Sequence, residues 1–339
     1  MTTNINKSKK ITLHVAIPSS SLVNDKTLRD KTLKISKFAR AFSIFGVSQI
    51  FIYKDDTLKH DHIFTKKNKK WNLFHGKADE SLFLKFILEY LDTPQYLRKI
   101  LYPMSPDLRY AGLLEPLNAP HHKKKTRMDE IKEGDVRVGI VTHREDEPMI
   151  FKKNSKYAHR NNYQAKKTEI KGNSINFSST RTVDIGLDYK IPFKGNNRIG
   201  QKVNVKLIGK FPDIIAVEAS NNDLDKEYWG YQVSISPSLF ELLDMHLNKK
   251  FILLTSRKGK NLKDNESNFK NLLKNYNNNL LVVYGSPKKD LNEICKNIHM
   301  IVKNNSGMYA NMFSGQYTET IRLEEAILGS LSIVNYILK

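Results

Sequence analysis

Candidate chemistry in this chain gathers in three glycine-bearing segments: Thr255-Ser256-Arg257-Lys258-Gly259, Gly285-Ser286-Pro287 and Ser314-Gly315-Gln316-Tyr317-Thr318. Each lies at the end of a strand-like stretch, and in open α/β sheets ligands bind beyond the carboxyl ends of the strands. Glycine has no Cβ, so backbone amides there can approach an adenine or a ribose closely. Any one of these segments reads first as a plain turn. Three of them, all ending strands of one region, point to a ligand site.

Other chemistries lack their motifs. No GxGxxG follows the first strand and no GxxxxGK[ST] occurs, so neither a dinucleotide fold nor a P-loop is supported. Cys295 is the only cysteine, which excludes an internal disulfide and a cysteine-rich zinc site. Its place on an apolar helix face suits a buried thiol better than a nucleophile. His121 and His122 are adjacent rather than four apart, so their side chains diverge. A turn or an RNA contact suits them better than metal ligation, and no metal is expected.

Charge indicates the partner. Against 35 Asp and Glu stand 56 Lys and Arg, a net +21 over 339 residues. From His121 to Ile215 there are 21 basic and 11 acidic residues, so this stretch alone carries +10. A surplus of this size suits a polyanion bound through counterion release. No stretch approaches the roughly 20 apolar residues that cross a bilayer. The start, Met1 to Lys10, is polar and basic rather than a signal peptide, so a cytoplasmic location, or a nuclear one in a eukaryote, is the default.

The three loops need parallel strands to hold them. Ile11, Leu13, Val15 and Ile17 read as a strand ending at Pro18-Ser19-Ser20-Ser21. Leu28, Ile35, Phe38, Ala39, Phe42 and Phe45 then recur on one helical face, with Gly46 as the stop. Val47 to Tyr53 is an uncharged apolar run, as expected of a strand covered on both faces. Asp79 reads as the N-cap of a helix bearing Leu82, Phe83, Phe86, Ile87 and Tyr90, and a further helix follows Pro94.

The style changes near Pro116-Leu117-Asn118-Ala119-Pro120. Short strand-like runs follow at Val136 to Thr142, Arg181 to Ile185, Gly200 to Ile208 and Ile214 to Glu218, without intervening helices. They predict a small barrel, and an OB-like one would suit RNA. Lys152 to Asn176, polar and poorly periodic, reads as a long mobile loop. Strand-and-helix style resumes at Tyr228, with strands at Phe251 to Leu254 and Leu280 to Tyr284. One helix is expected through Leu291, Ile294, Cys295 and Ile298, then a short strand at Met300 to Val302. A last helix carries Ile327, Leu328, Leu331, Val334 and Leu338. The expected division is a disordered tail over 1–10, a discontinuous α/β domain over 11–120 and 223–339, and an inserted OB-like β-barrel over 121–222.

Arg40-Ala41-Phe42-Ser43-Ile44-Phe45-Gly46-Val47, an arginine six residues before a helix-ending glycine, resembles the first motif of the SPOUT-class RNA methyltransferases. Leu91 to Lys99 (LDTPQYLRK), Leu108 to Leu117 (LRYAGLLEPL) with Pro120-His121-His122, Trp229-Gly230-Tyr231 and Thr320 to Leu328 (TIRLEEAIL) are similar to one branch of that family. This branch carries an inserted β-barrel and includes the human SPOUT-domain centromere protein homologues. The resemblance spans nearly the whole chain. It implies a Rossmann-like α/β domain with a C-terminal trefoil knot, S-adenosylmethionine as cofactor, RNA as substrate, and a homodimer with active sites at the subunit interface.

It also assigns residues. Thr255 and Ser256, Gly285, and Ser314, Gly315, Thr320 and Ile321 would hold the cofactor in three loops. Arg40 would serve the substrate side, with Arg322 and Glu325 as second candidates. An arginine suits that place because its fork of donors stays charged at any working pH. Without the resemblance, Arg322, Glu324 and Glu325 read as charge pairing in the first turn of a helix. RNA would meet Arg98, His121, His122, Lys152, Lys153, Lys156, Arg160, Lys166 and Lys167, with Tyr157 and Tyr163 able to stack on unpaired bases.

Where the family has a Pro-Gly-Gln-Gly run followed by Ser/Thr-Arg, this chain reads Ser314 to Glu319 (SGQYTE). That departure leaves open a non-catalytic RNA-binding or ribosome-assembly protein that retains the fold. A DNA-binding regulator is the weaker alternative, since no basic recognition helix of helix-turn-helix type stands out.

Overall fold

A computed structural model describes residues 11–55, 80–123, 130–143, 181–187, 189–209, 213–303 and 307–338. The expected basic tail at 1–10, the Asp79 cap and the loop residues Lys152, Lys153, Lys156, Tyr157, Arg160, Tyr163, Lys166 and Lys167 lie outside them. The described residues divide into two units, and the chain passes between them more than once.

The first unit (1–92, 104–119 and 230–339) is built on six parallel strands. Strand β1 (Thr12–Pro18), helix α1 (Leu28–Ile44) and β2 (Val47–Tyr53) form the expected β-α-β unit. Thr27 caps α1 by accepting from the Asp30 N–H at 3.1 Å, and Gly46 ends it at φ +69°. Then come α2 (Glu80–Asp92), β8 (Gln232–Ser236), α5 (Leu239–His246), β9 (Phe251–Asn261), α6 (Glu266–Asn275) and β10 (Asn279–Val283). The unit closes with α7 (Leu291–Ile294), α8 (Ile298–Lys303), β11 (Gly307–Asn311) and α9 (Leu323–Leu338). Across the sheet the order is β11-β9-β10-β1-β2-β8.

Burial follows the period of two that a strand imposes. On β10, Leu280 and Val282 join a core with α1, α2, α6 and α9, whereas Leu281 and Val283 join a second core with α5 and α8. Both faces of β10, β1 and β2 are thereby covered, which is why their sequences carry no Lys, Arg, Asp or Glu. Among the described residues no helix is long and apolar enough to cross a membrane.

Two expectations are corrected. Met300 to Val302 is not a strand but the middle of α8. The run Leu291 to Ile298 is not one helix, because α7 ends at Cys295 and Asn297 turns left-handed at φ +61° before α8 begins. Its apolar residues still face one core, so a broken helix mimics a continuous pattern.

The second unit comprises 93–103 and 120–229. Strands β3 (Val136–His143), β4 (Arg181–Asp184), β5 (Ile191–Lys194), β6 (Lys202–Ile208) and β7 (Ile215–Glu218) close a barrel in the order β3-β4-β5-β7-β6. Every pairing is antiparallel except β5 with β7. Helices α3 (Gln95–Leu101) and α4 (Asn221–Leu224) belong to this unit, and α3 packs Leu97 on Val138 and Ile140. Tyr96 donates to the Val138 carbonyl at 2.7 Å and covers Gly186, where a Cβ would fall 2.4 Å from the ring.

His14 gives the first unit a pH dependence. It is 8% exposed on β1, and its pKa is pushed down to about 4, by burial first and then by the Lys250 ammonium. The unfolded chain binds that proton near 6.5, so folding is favoured in full above pH 6.5 and loses this contribution as pH falls toward 4. The expected loss at pH 5 is about 2 kcal/mol from His14 alone. His246, also held near 4 by burial, adds to it. Denaturant midpoints measured from pH 7 to 5 should fall steeply in the wild type and less in His14→Leu. Equal slopes would show that His14 carries no such linkage.

Candidate functional site

β9 and β11 pair in two stretches. Gly307, Met308 and Tyr309 lie beside Ile252, Leu253 and Leu254, and the ladder resumes with Ala310 beside Lys260 and Asn311 beside Asn261. Thr255 to Gly259 are therefore looped out within the extended span of β9, where the sequence suggested a loop after a shorter strand. The return is possible only at a glycine, since a Cβ on Gly259 would sit 2.5 Å from the Ala310 carbonyl carbon.

The excursion forms one wall of a cavity of about 370 Å3 that lies beside the looped-out stretch of β9 and beyond the carboxyl ends of β10 and β11. Thr255, Ser256 and Arg257 line it from β9, and Thr255 is pinned by donating to the Val283 carbonyl at 2.9 Å. Tyr284 to Asp290 line it from the turn after β10, which closes by a Ser286 N–H to Lys289 carbonyl bond of 3.0 Å. Met312, Phe313, Gln316 and Glu319 to Ile321 line it after β11, and Leu323, Ala326 and Ser330 of α9 supply the floor.

Hydrogen bonds tie these walls together. Asp290 accepts from Ser256 Oγ at 2.8 Å and from the Tyr309 hydroxyl at 2.9 Å, so one carboxylate joins β9, β11 and the turn after β10. Burial, with the Asp290 carboxylate adding, pushes the Tyr309 phenol up to about 12, which keeps it a donor at any working pH. Arg257 donates to the Glu319 carbonyl at 2.9 Å, and Gln316 Nε2 to the carbonyls of Thr318 and Glu319. The Tyr284 hydroxyl meets Ser330 Oγ, fixing β10 to α9.

Of the residues proposed for cofactor contact, Thr255, Ser256, Gly285, Thr320 and Ile321 line this cavity. Ser314 and Gly315, with Gly315 at φ +80°, form an exposed turn outside the lining. Tyr317 is fully exposed there. Arg40 is also outside the lining: its Nη1 donates to the carbonyls of Pro116 and Leu117, each at 3.2 Å, and its Nε lies 3.8 Å from Glu115. Arg322 and Glu325 are exposed at the start of α9, where the Glu325 carboxylate accepts the Arg322 backbone N–H at 2.9 Å. This is a cap on the helix start through the backbone rather than the side-chain charge pairing that the residue types suggest.

Arg98, His121 and His122 belong to the barrel unit. Arg98 Nε donates to the Thr93 carbonyl at 2.9 Å. Contrary to the expectation that adjacent side chains diverge, the His121 ring packs edge-on against His122 with centroids 4.3 Å apart, as well as against Tyr228 and Trp229. Sequence reasoning missed Asp290 and Ser330, and named Arg257 within its loop without assigning it a role. Pro287-Lys288-Lys289-Asp290 reads as a solvated turn, and only the fold brings it to Ser256 and Tyr309.

A half-open cavity of this size, lined by Met312, Phe313 and Leu323 together with polar groups such as Ser256, Ser286 and Asp290, suits a nucleoside-sized ligand. A family model described as "Putative RNA methyltransferase" matches residues 12–334. A Homo sapiens 28S rRNA (uridine-N(3))-methyltransferase is 28% identical over 340 residues, covering 96% of this chain and 78% of that protein. The Drosophila melanogaster protein of the same name is 25% identical over 336 residues, with 96% of this chain and 62% of its own length covered. A Mus musculus counterpart is 37% identical over 132 residues, 38% of this chain and 32% of that protein. With the match reaching from the first strand to the last helix, the chain belongs to this RNA methyltransferase family.

Proposed function

We propose that the protein is an S-adenosylmethionine-dependent RNA methyltransferase that binds its cofactor in the cavity beside β9 and beyond β10 and β11 and modifies a base nitrogen or ribose hydroxyl of structured ribosomal or transfer RNA. The uridine N3 named for its relatives is the first atom to test. The observation that carries the reading is the convergence of three loops from adjacent parallel strands on one cavity. When bound there, the cofactor supplies an electrophilic methyl group, and no metal is required. The chain's own part is to bind and orient, since alignment alone accounts for much of the barrier to such a transfer. Gly285 lets the turn after β10 fold tightly along the cavity, since a Cβ there would meet the Lys289 carbonyl oxygen at 3.2 Å. Met312, Phe313 and Leu323 exclude water, and Arg257, Lys288 and Lys289 place positive charge at the rim for phosphate. Arg40, fixed by the carbonyls of Pro116 and Leu117, would steady the substrate side.

The same reading includes the C-terminal trefoil knot, an OB-like role for the barrel in gripping RNA, and a homodimer. The barrel's order of β3-β4-β5-β7-β6 supports the second. The large apolar side chains exposed on α1 and α9, namely Ile44, Leu328 and Tyr336, support the third. Tyr317 points to solvent outside the cavity lining, so the unusual SGQYTE stretch leaves the cavity open and favours an enzyme over a bare RNA binder.

The test is isothermal titration of the purified protein with S-adenosylmethionine, followed by tritium transfer to ribosomal and transfer RNA. Saturable binding with transfer to one RNA class is expected. A folded protein that binds RNA but gives no heat with the cofactor would move the assignment to the RNA-binding alternative.

A further inference from the structure

Behind one wall of the cavity runs a chain of hydrogen bonds that the reading above does not use. Ser19, Ser20 and Ser21 follow the end of β1 in a short 3-10 turn, and all three are buried. Asp55, just past β2, receives Ser19 Oγ on one carboxylate oxygen at 2.9 Å and Ser20 Oγ on the other at 2.6 Å. Ser20 Oγ also lies 2.9 Å from Ser286 Oγ, and Ser286 lines the cavity while Ser20 and Asp55 do not.

The direction of this chain is forced. A serine hydroxyl has one hydrogen, and a carboxylate offers lone pairs only. Ser20 therefore gives its hydrogen to Asp55, and the contact with Ser286 exists only if Ser286 is the donor. One lone pair of Ser286 takes the Lys288 N–H at 3.3 Å. What remains can only accept. The neighbours agree: Ser256 spends its hydrogen on Asp290 and accepts the Lys258 N–H at 3.1 Å, and Asp290 itself only accepts. This wall presents acceptors and no side-chain hydroxyl donor.

We propose that Ser20 and Asp55 are positioning residues that lock Ser286 as an acceptor for a donor group of the bound cofactor, either a ribose hydroxyl or the α-ammonium. The proposal rests on the cofactor reading of the cavity. An unlocked hydroxyl could turn its hydrogen toward the ligand and repel a donor. The locked one is also polarised by the carboxylate two bonds away, and hydrogen bonds in chains strengthen one another. The wall thereby suits the donor-rich face of an adenosyl ligand.

The test uses S-adenosylhomocysteine, its 2′,3′-dideoxy analogue and its deaminated analogue, titrated into wild type, Ser20→Ala and Asp55→Asn. In Asp55→Asn the amide can donate to Ser20 and reverse the chain. Both variants are expected to bind S-adenosylhomocysteine about five- to tenfold more weakly, the worth of one hydrogen bond. Against the analogue lacking the recognised group, the variants and wild type should bind alike, which identifies ribose or ammonium as the partner. A uniform loss across all three ligands would mean that Ser20 and Asp55 serve only the fold, and no loss would mean that Ser286 needs no locking; either overturns the proposal. Wild type that binds none of the ligands would instead overturn the cofactor reading itself.

Discussion

Gly259→Ala is expected to cost about 3 kcal/mol of folding stability and to weaken S-adenosylmethionine binding at least about tenfold. A Cβ there would meet the carbonyl carbon, Cα and nitrogen of Ala310 at 2.5, 2.7 and 2.7 Å. All three are backbone atoms, so no side chain can rotate out of the way. The strands must part where their ladder resumes, at the pairing of Lys260 with Ala310, and the looped-out Thr255, Ser256 and Arg257 move with it. Two comparisons isolate the cause. Gly315→Ala meets open space but sits at φ +80°, so only the left-handed backbone is penalised, by about 1 kcal/mol. Gly112→Ala meets neither obstacle and should be near neutral. Urea unfolding of the three variants, paired with cofactor titration, reads the ranking. If Gly259→Ala behaves like Gly112→Ala, the two strands are not held as tightly as this pairing requires.

What could be read from the sequence tracks how deeply each element is buried. β2 and β10 lie inside the sheet, so their sequences are uncharged runs that stand out without structural help. β8 and β11 are the two edges, bury less, and carry the polar residues of QVSIS and GMYAN. Neither was identified, because a five-residue edge strand lacks an unbroken apolar signature. β5, with Pro192 in only four residues, escaped for the same reason. The three glycine loops were legible as loops, yet their meeting was not. It depends on β9, β10 and β11 being neighbours, a long-range fact of the sheet. Asp290 marks the limit most clearly. Nothing in its local sequence separates it from a solvated turn, and its role comes from Ser256, 34 residues before it, and Tyr309, 19 residues after it.

That placement makes Asp290→Ala the substitution with the largest expected effect on the cavity. The carboxylate is the point at which β9, β11 and the turn after β10 are joined by side chains, through Ser256 at 2.8 Å and Tyr309 at 2.9 Å. Hydrogen bonds to an ionised acceptor contribute about 1.5–3 kcal/mol each. Alanine removes two of them at once and frees Ser256 to rotate, so the acceptor wall loses its fixed polarity. S-adenosylmethionine affinity should fall about fiftyfold, equivalent to about 2.3 kcal/mol, with a smaller loss of global stability. Asp290→Asn keeps one carbonyl oxygen for one of the two hydroxyls and should lose only about fivefold. The Tyr309 phenol, relieved of the carboxylate but still buried, should titrate below its present value near 12 in the alanine variant. A graded loss, alanine worse than asparagine, means that the carboxylate organises the binding loops. Equal affinity in all three proteins would mean that the loops hold their places without it, leaving Thr255 on the Val283 carbonyl and Arg257 on the Glu319 carbonyl as the bonds that shape the cavity.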